Sequence, residues 1–339
     1  MSSVPTSGTA AGGESINKTG TPAERPTSHQ PSRFLLDAVL GGILLVWCFN
    51  YTAGKIALRH MDPFSLASIR TEVAAILMLG IYFTRRERSR FRWRDTWTFT
   101  YLAFSGVVLN QGCFTVGLNY TTSERSVLLV ALAPIIVLVL ARFMGLEALT
   151  PGKTVGMLIA FAGVVLLETE RGSLGHTPLV VGDMITLVGV VGFSVFSVLG
   201  KRLLGDGRPE TYDSISFNTF TLVAAAILLL PLAVRQGIYL DWQQVGWAGW
   251  AGLLYMAIFS SVLAYTLFYW ILKYMEASRV AAVDYLQPFI VVLLSMVFLG
   301  ERPTGHLVSG GALVLLGVYF VERVSGSKRS KASRLVRET

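Results

Sequence analysis

The sequence has only two cysteines and four histidines in 339 residues, which leaves no material for a disulfide framework and no metal site. Cys48 and Cys113 both fall in apolar stretches, where a thiol serves as a small packing group. His60, His176 and His306 have no ligand spacing among them and read as solvated residues in loops or at helix ends. Charge is scarce as well: 15% of residues are Asp, Glu, Lys or Arg against 53% hydrophobic, with a mean hydropathy of +0.56. That balance excludes a soluble domain of this size, whose surface would not stay wet. A glycine-rich loop closed by a phosphate-binding lysine is absent, which argues against ATP drive and any nucleotide cofactor. Alternating strands of the barrel type are missing too, and so is an apolar run before residue 33 long enough for a signal-peptide core.

What is present is long apolar runs. Crossing about 30 Å of hydrocarbon takes ~20 apolar residues as a helix. Ten stretches qualify: 35–56, 64–84, 97–118, 123–143, 152–168, 178–200, 213–233, 246–271, 277–299 and 305–323. Backbone amides cannot go unpaired in lipid, so the fold class is an all-α integral membrane protein. The Ser, Thr, Gly and Pro-rich residues 1–32 and the basic residues 324–339 read as disordered cytoplasmic tails, and no soluble catalytic domain remains.

The chain also repeats itself. At a constant offset of 154 residues Phe268 falls on Phe114, Tyr274 on Tyr120, Arg279 on Arg125, Pro288 on Pro134, Glu301 on Glu147, Gly310 on Gly156 and Gly317 on Gly163. Nearer the start of each half the offset is 146, placing Asp183 on Asp37, Gly200 on Gly54 and Lys201 on Lys55. Two five-helix repeats, 35–168 and 178–323, follow. Because five is odd, the copies enter the membrane in opposite directions, so the ten helices form two inverted repeats. Such symmetry marks a transporter with its site between the halves.

Charge sets the orientation. With the N-terminus inside, about three-quarters of the 29 Lys and Arg fall in cytoplasmic loops, leaving Lys55, Arg59, Arg70, Arg125, Arg171, Arg235 and Arg302 outside. The net charge of +8 is therefore a topology signal and not a nucleic-acid surface.

The stretch Phe298-Leu-Gly-Glu-Arg-Pro303, followed by Gly310-Gly-Ala-Leu-Val-Leu-Leu-Gly317, resembles the end of an EamA repeat of the drug/metabolite transporter superfamily. Asn50-Tyr-Thr-Ala-Gly-Lys55 resembles the close of the first helix of that repeat, Ser68-Ile-Arg70 its second helix, and Gly182-Asp183 the opening of the second copy. The resemblance covers roughly 35–323. It implies a ten-helix inner-membrane transporter, usually an exporter of amino acids or other small metabolites, with a central cavity lined by both halves.

The sequence offers a set of candidate site residues. Asp284 sits within the ninth span in Asp284-Tyr285-Leu-Gln287-Pro288, whose counterpart Val130-Ala-Leu-Ala133-Pro134 is wholly apolar. A buried carboxylate costs several kcal/mol, so Asp284 is either satisfied by Arg279 or a neighbouring helix, or a functional group, including a proton-coupling one. Asn110 and Gln111 in the third span, opposite Ala264 and Tyr265 in the eighth, show a similar asymmetry. Trp47, Asn50, Tyr265, Tyr269, Tyr285 and Gln287 complete a substrate-binding set with aromatic faces and hydrogen-bond groups. Lys55 and Arg70 would line a positive outer vestibule, and Lys55 equally well snorkels to the interface. Asp37 and Asp183 read as helix caps at the positive end of a dipole, and Glu147 and Glu301 as ties to loop amides or salt bridges between the halves. Trp93, Trp97, Trp242, Trp247 and Trp250 read as an interfacial belt. Pro134 and Pro288 break two helices at matched depths. Gly152, Gly156, Gly189, Gly192, Gly310, Gly311 and Gly317 form small-residue strips for helix packing, or for a homodimer along the fifth and tenth spans.

The expected function is a secondary transporter working by alternating access, with a small-molecule substrate, the bilayer as its surroundings and no nucleic-acid partner. A passive facilitator or channel would share the same sequence features. An intramembrane aspartyl enzyme would need Asp37 and Asp183 to converge on one water, yet they begin helices that enter from opposite sides.

Overall fold

The structure, a computed structural model, describes residues 31–143, 151–168, 177–205, 212–274, 286–317, 319 and 320, and among these it is helical with no strand. The helices are α1 (Arg33–Leu58), α2 (Pro63–Thr84), α3 (Thr96–Ala103), α4 (Cys113–Tyr120), α5 (Ser123–Val130), α6 (Ala133–Phe143) and α7 (Pro151–Glu168) in the first half. The second half has α8 (Thr177–Gly205), α9 (Ser214–Tyr239), α10 (Gly246–Tyr255), α11 (Tyr265–Tyr274), α12 (Gln287–Leu294) and α13 (Gly305–Gly317). Among the described residues six helical stretches are long and apolar enough to cross a membrane: Arg33–Leu58, Pro63–Thr84, Trp93–Tyr120, Leu179–Ser197, Ser214–Tyr239 and Gly246–Tyr274. The remaining apolar helices are shorter for identifiable reasons. The fourth expected span is interrupted at Ala131 and Leu132, just before Pro134, and the start of the ninth lies outside the described residues. Proline lacks an N–H, so it fits the first turn of α6 and of α12 but could not continue the helix before it.

Two features of the second and seventh spans show how the halves relate. Asp62 caps α2 by accepting from Phe64 N at 3.0 Å and Ser65 N at 2.9 Å. Asp213 caps α9 in the same way, accepting from Ile215 N at 3.2 Å and Ser216 N at 3.1 Å. In each cap the serine hydroxyl, Ser65 or Ser216, also donates to the capping carboxylate. Arg85, the C-cap of α2, donates to Asp213 at 2.6 Å, so the end of α2 lies beside the beginning of α9. Equivalent helices therefore run antiparallel, as inverted repeats require. The packing is symmetric as well: α2 lies on α9, α1 on α10, and α8 on α4 and on the segment preceding it.

One expected cap is corrected. Asp37 lies exposed within α1, past the amides that lack partners, and the N-cap is Ser32, which accepts from Leu35 N at 3.2 Å.

Asp213 yields a prediction. Partial burial alone would raise its pKa, but hydrogen bonds from Ser216, Arg85 and Ser89 outweigh that and hold it well below the usual carboxylate range. A carboxyl with a depressed folded pKa contributes stability above its unfolded value of ~3.9 and loses it as pH falls through the folded value. Asp213→Ala is expected to cost about 1–2 kcal/mol through the lost cap and to leave Arg85 unpaired. Melting curves should show the deficit at neutral pH, with the gap to wild type closing only in strong acid.

Candidate functional site

Two segments of π-helical backbone mark the centre of the molecule: π1 (Phe104–Gly112) between α3 and α4, and π2 (Met256–Ala264) between α10 and α11. They occupy equivalent places in the two halves. A π-bulge widens the turn and shifts the register of the side chains that follow, and it recurs at functional sites. Here π1 carries Asn110 and Gln111, while π2 carries Ser260 and Ser261 and hands on directly to Tyr265.

A cavity with about 600 Å³ of empty volume, mouth included, opens between the halves. Its wall contains Trp47, Asn50 and Tyr51 from α1, Arg70 from α2, Asn110 and Gln111 from π1, Phe114 from α4, and Val130 and Ala133 beside the break in the fourth span. From the second half come Val190 and Phe193 of α8, Ser260 of π2, Tyr265 of α11 and Gln287 of α12. The aromatic part is tightly coupled, with Trp47 ring centroids 5.7 Å from Tyr265, 5.6 Å from Phe268 and 6.4 Å from Phe193. Tyr51 meets Phe114 edge-on at 5.0 Å.

The polar part links the halves. Asn110 Nδ2 donates to the Tyr265 hydroxyl at 2.8 Å. Gln111 Oε1 accepts from Arg70 Nη2 at 2.8 Å and from Ser261 Oγ at 3.0 Å, and Arg70 Nη2 also reaches the Gln111 carbonyl at 3.4 Å. The Asn110–Tyr265 and Gln111–Ser261 bonds join a residue of one repeat to a residue of the other, while Arg70 and Gln111 pair within the first repeat.

The structure thus brings Trp47, Asn50, Asn110, Gln111, Tyr265 and Gln287 together around one cavity. It places Tyr269 elsewhere. That side chain is 1% exposed, with its ring centroid 4.7 Å from Phe217 and 5.8 Å from Phe196, and it forms part of the core one helical turn beyond Tyr265. Asp284 and Tyr285 lie outside the described residues, as do Glu147, His176, Arg279 and both expected tails apart from residues 31 and 32.

Arg70 is the main correction. It was expected in the outer vestibule, but α2 begins at Pro63, and seven residues at 1.5 Å each carry it about 10 Å along the helix. It is 2% exposed and stands at the wall of the central cavity. Lys55 does stand near the end of its helix, half-buried, in a second depression with Arg59, Asn119 and Glu301. Its Nζ donates to the Thr121 carbonyl at 2.5 Å, and Glu301 Oε1 accepts weakly from Ser123 N at 3.5 Å.

Asp183 is the second correction. It does not cap α8: its carboxylate is fully buried and accepts from Arg125 Nε at 2.9 Å, Arg125 Nη2 at 2.5 Å and Thr121 Oγ1 at 2.6 Å. α8 starts at Thr177, so Asp183 sits almost two turns in, where the helix amides are already paired. Arg125, counted among the outer charges, is 3% exposed in α5. This ion pair between the halves and the two π segments had no signal in the sequence.

The glycine strips pack within the chain. A Cβ on Gly163 would lie 2.7 Å from the Gly310 carbonyl oxygen, and one on Gly317 2.5 Å from that of Gly156. Gly156, Gly310 and Gly317, considered for a homodimer along α7 and α13, thus lie where those two helices pack on each other.

Comparison with known proteins agrees with this architecture. A model of the EamA-like transporter family matches residues 37–169 and again 180–323. An "uncharacterized transporter" of Archaeoglobus fulgidus is 29% identical, covering 82% of this chain and 93% of its own length. One of Bacillus subtilis is 28% identical over 79% of this chain and 87% of its own. A "probable amino-acid metabolite efflux pump" of Salmonella typhimurium is 24% identical, covering 82% of this chain and 91% of that protein. A solved crystal structure shares the fold, with a TM-score of 0.57 at 19% identity over 85% of this chain and 96% of that one. With its all-helical bundle and a family match in each half, this chain is a membrane transporter and belongs to the EamA-like transporter family.

Proposed function

We propose that the protein is a secondary transporter that moves a small metabolite, amino acids and related compounds among the candidates, outward across the cytoplasmic membrane of a bacterial cell, with both tails on the cytoplasmic side. The observation that carries this reading is the central cavity, whose polar wall includes two hydrogen bonds between antiparallel halves, Asn110–Tyr265 and Gln111–Ser261. Rocking one half against the other breaks those contacts one side at a time and exposes the site alternately to either face, which is alternating access. The repeats are residues 35–168 and 178–323, and Asp284 and Tyr285 belong to the site with the residues already placed there. Charge distribution supports the orientation, and the efflux pump of Salmonella typhimurium supports the direction and the substrate range.

Purified protein in liposomes is expected to accumulate a solute from a metabolite panel without ATP when a proton or sodium gradient is imposed. Flux that never exceeds the solute's own gradient would identify a facilitator. No flux of any amino acid, purine or organic cation would refute the reading.

A further inference from the structure

Among the described residues two arginines are buried inside this bundle, and they are treated differently. Arg125 has a carboxylate partner in Asp183. Arg70 is as deeply buried, and only its Nη2 is partnered, by the side chain and carbonyl of Gln111. Among the described residues its Nε and Nη1, which carry three N–H groups, have no hydrogen-bond partner, and no carboxylate pairs with it. Leaving a cation buried without a counter-charge is strongly unfavourable, because its lost hydration is not replaced. An orphaned buried group of this kind requires an explanation, and its position at the cavity wall supplies one.

Another orphan stands in the same wall. Asn50 is 8% exposed, and its Oδ1 is buried with no donor. The cavity therefore presents unused donors on a fixed positive charge, one unused acceptor, and an aromatic surface of Trp47, Phe193 and Tyr265. Gln111 holds the guanidinium in place from π1, and Ser261 from the opposite half shares the same Gln111 oxygen, so the charge sits where both halves can sense its occupancy.

We infer that Arg70 is the anion subsite of the transport cavity, and that the solute is a small organic carboxylate with an apolar or aromatic body and a hydrogen-bond donor directed to Asn50. This assignment rests on the transporter reading and narrows it to a substrate class. The solute carboxylate supplies Arg70 with negative charge that none of the described residues provides, through charge-assisted hydrogen bonds to Nε and Nη1. Binding then removes the cost of the buried cation, so loading and the conformational balance of the two halves are coupled.

The test uses four matched solutes: 3-phenylpropionate, phenylalanine, phenylalaninamide and phenethylamine, with inorganic phosphate and sulfate as small-anion controls. Thermal shift and liposome counterflow are measured on the full chain. Wild type is expected to favour the two carboxylates over the amide and the amine by about tenfold or more, with phosphate and sulfate weak because they lack the apolar body. In Arg70→Gln that preference should fall to near unity, while the solute-free protein melts no lower than wild type, since a buried uncompensated charge has been removed. Arg70→Lys should retain part of the preference.

Several results would overturn the assignment. They are wild-type flux of the amide or amine with no response to either acid, an Arg70→Gln variant that keeps the carboxylate preference, and an Arg70→Gln variant that melts far below wild type or fails to fold, which would make Arg70 part of the scaffold. A preference for phosphate or sulfate would replace the carboxylate by an inorganic anion. The first of these leaves the transporter reading intact, whereas loss of all flux in wild type removes that reading and this one together.

Discussion

Replacing Asp183 with alanine is expected to destabilise the protein by about 3–5 kcal/mol, because it removes the carboxylate that faces the buried Arg125 guanidinium. The pair is sealed, with side-chain exposures of 4% for Arg125 and 0% for Asp183, so neither solvent nor salt screens it. Asp183 also accepts from Thr121 Oγ1, whose backbone carbonyl receives Lys55 Nζ. One carboxylate thus gathers the end of α4, the start of α5 and the body of α8 into a single knot between the halves. Removing the arginine instead, as Arg125→Met, strands the carboxylate at similar cost. The double variant Asp183→Ala with Arg125→Met should recover a large part of the loss, because a buried pair replaced by apolar groups is often close to neutral. Melting of the purified protein in detergent or nanodiscs reads all three. Single variants within about 1 kcal/mol of wild type, or a double variant that is the plain sum of the singles, would show that the pair does not act as a unit.

The contrast between this knot and Arg70 explains what could be read from the sequence. The repeat was legible because matched residues at a constant spacing survive without any knowledge of contacts, and the helical spans were legible because lipid imposes a length. Part of the cavity wall was legible for a related reason: Trp47, Asn50, Asn110, Gln111, Tyr265 and Gln287 are polar or amphipathic residues in spans where such groups are costly. Depth was harder. Arg70 was taken for a loop-proximal charge, although Asp62-Pro63 is a readable cap that sets the helix start seven residues earlier.

Partnership was harder still. Arg125 and Asp183 are separated by 58 positions in the chain, and nothing local announces that they meet. Asp183 even lies on the repeat partner of Asp37, yet one is sealed inside and the other exposed, so equal sequence positions hold unequal roles. The π segments depend on tertiary packing around the cavity and leave no composition of their own. Tyr269 was chosen for its chemistry alone, but it stands four residues after Tyr265 on α11, and only the packing of Phe196 and Phe217 decides which of the two rings faces open space.

The halves also approach closely at a glycine crossing of α4 and α8, and widening it should be as damaging as breaking the ion pair. On Gly117 a Cβ would fall 2.4 Å from Thr186 Oγ1 and 2.9 Å from the Gly182 carbonyl oxygen. On Gly182 it would fall 2.8 Å from Thr121 N and 2.9 Å from the Gly117 carbonyl oxygen. The two glycines therefore face one another across the crossing of α4 and α8, and most of the obstacle is backbone that no side-chain rotation can clear. Gly182→Val is expected to cost about 3 kcal/mol or more, the upper range for overpacking, because the helices must separate and the Thr121–Asp183 hydrogen bond one residue away goes with them. Gly41 and Gly80 supply the control, since a Cβ there meets nothing within 4 Å, and alanine at either should be neutral or slightly stabilising in a helix. The informative comparison is Gly182→Val made in the Asp183→Ala background. If both act by loosening the same α4–α8 contact, the combined loss falls well short of the sum; full additivity would mean that glycine packing and the ion pair hold separate parts of the bundle, and the knot at this end would have to be divided in two.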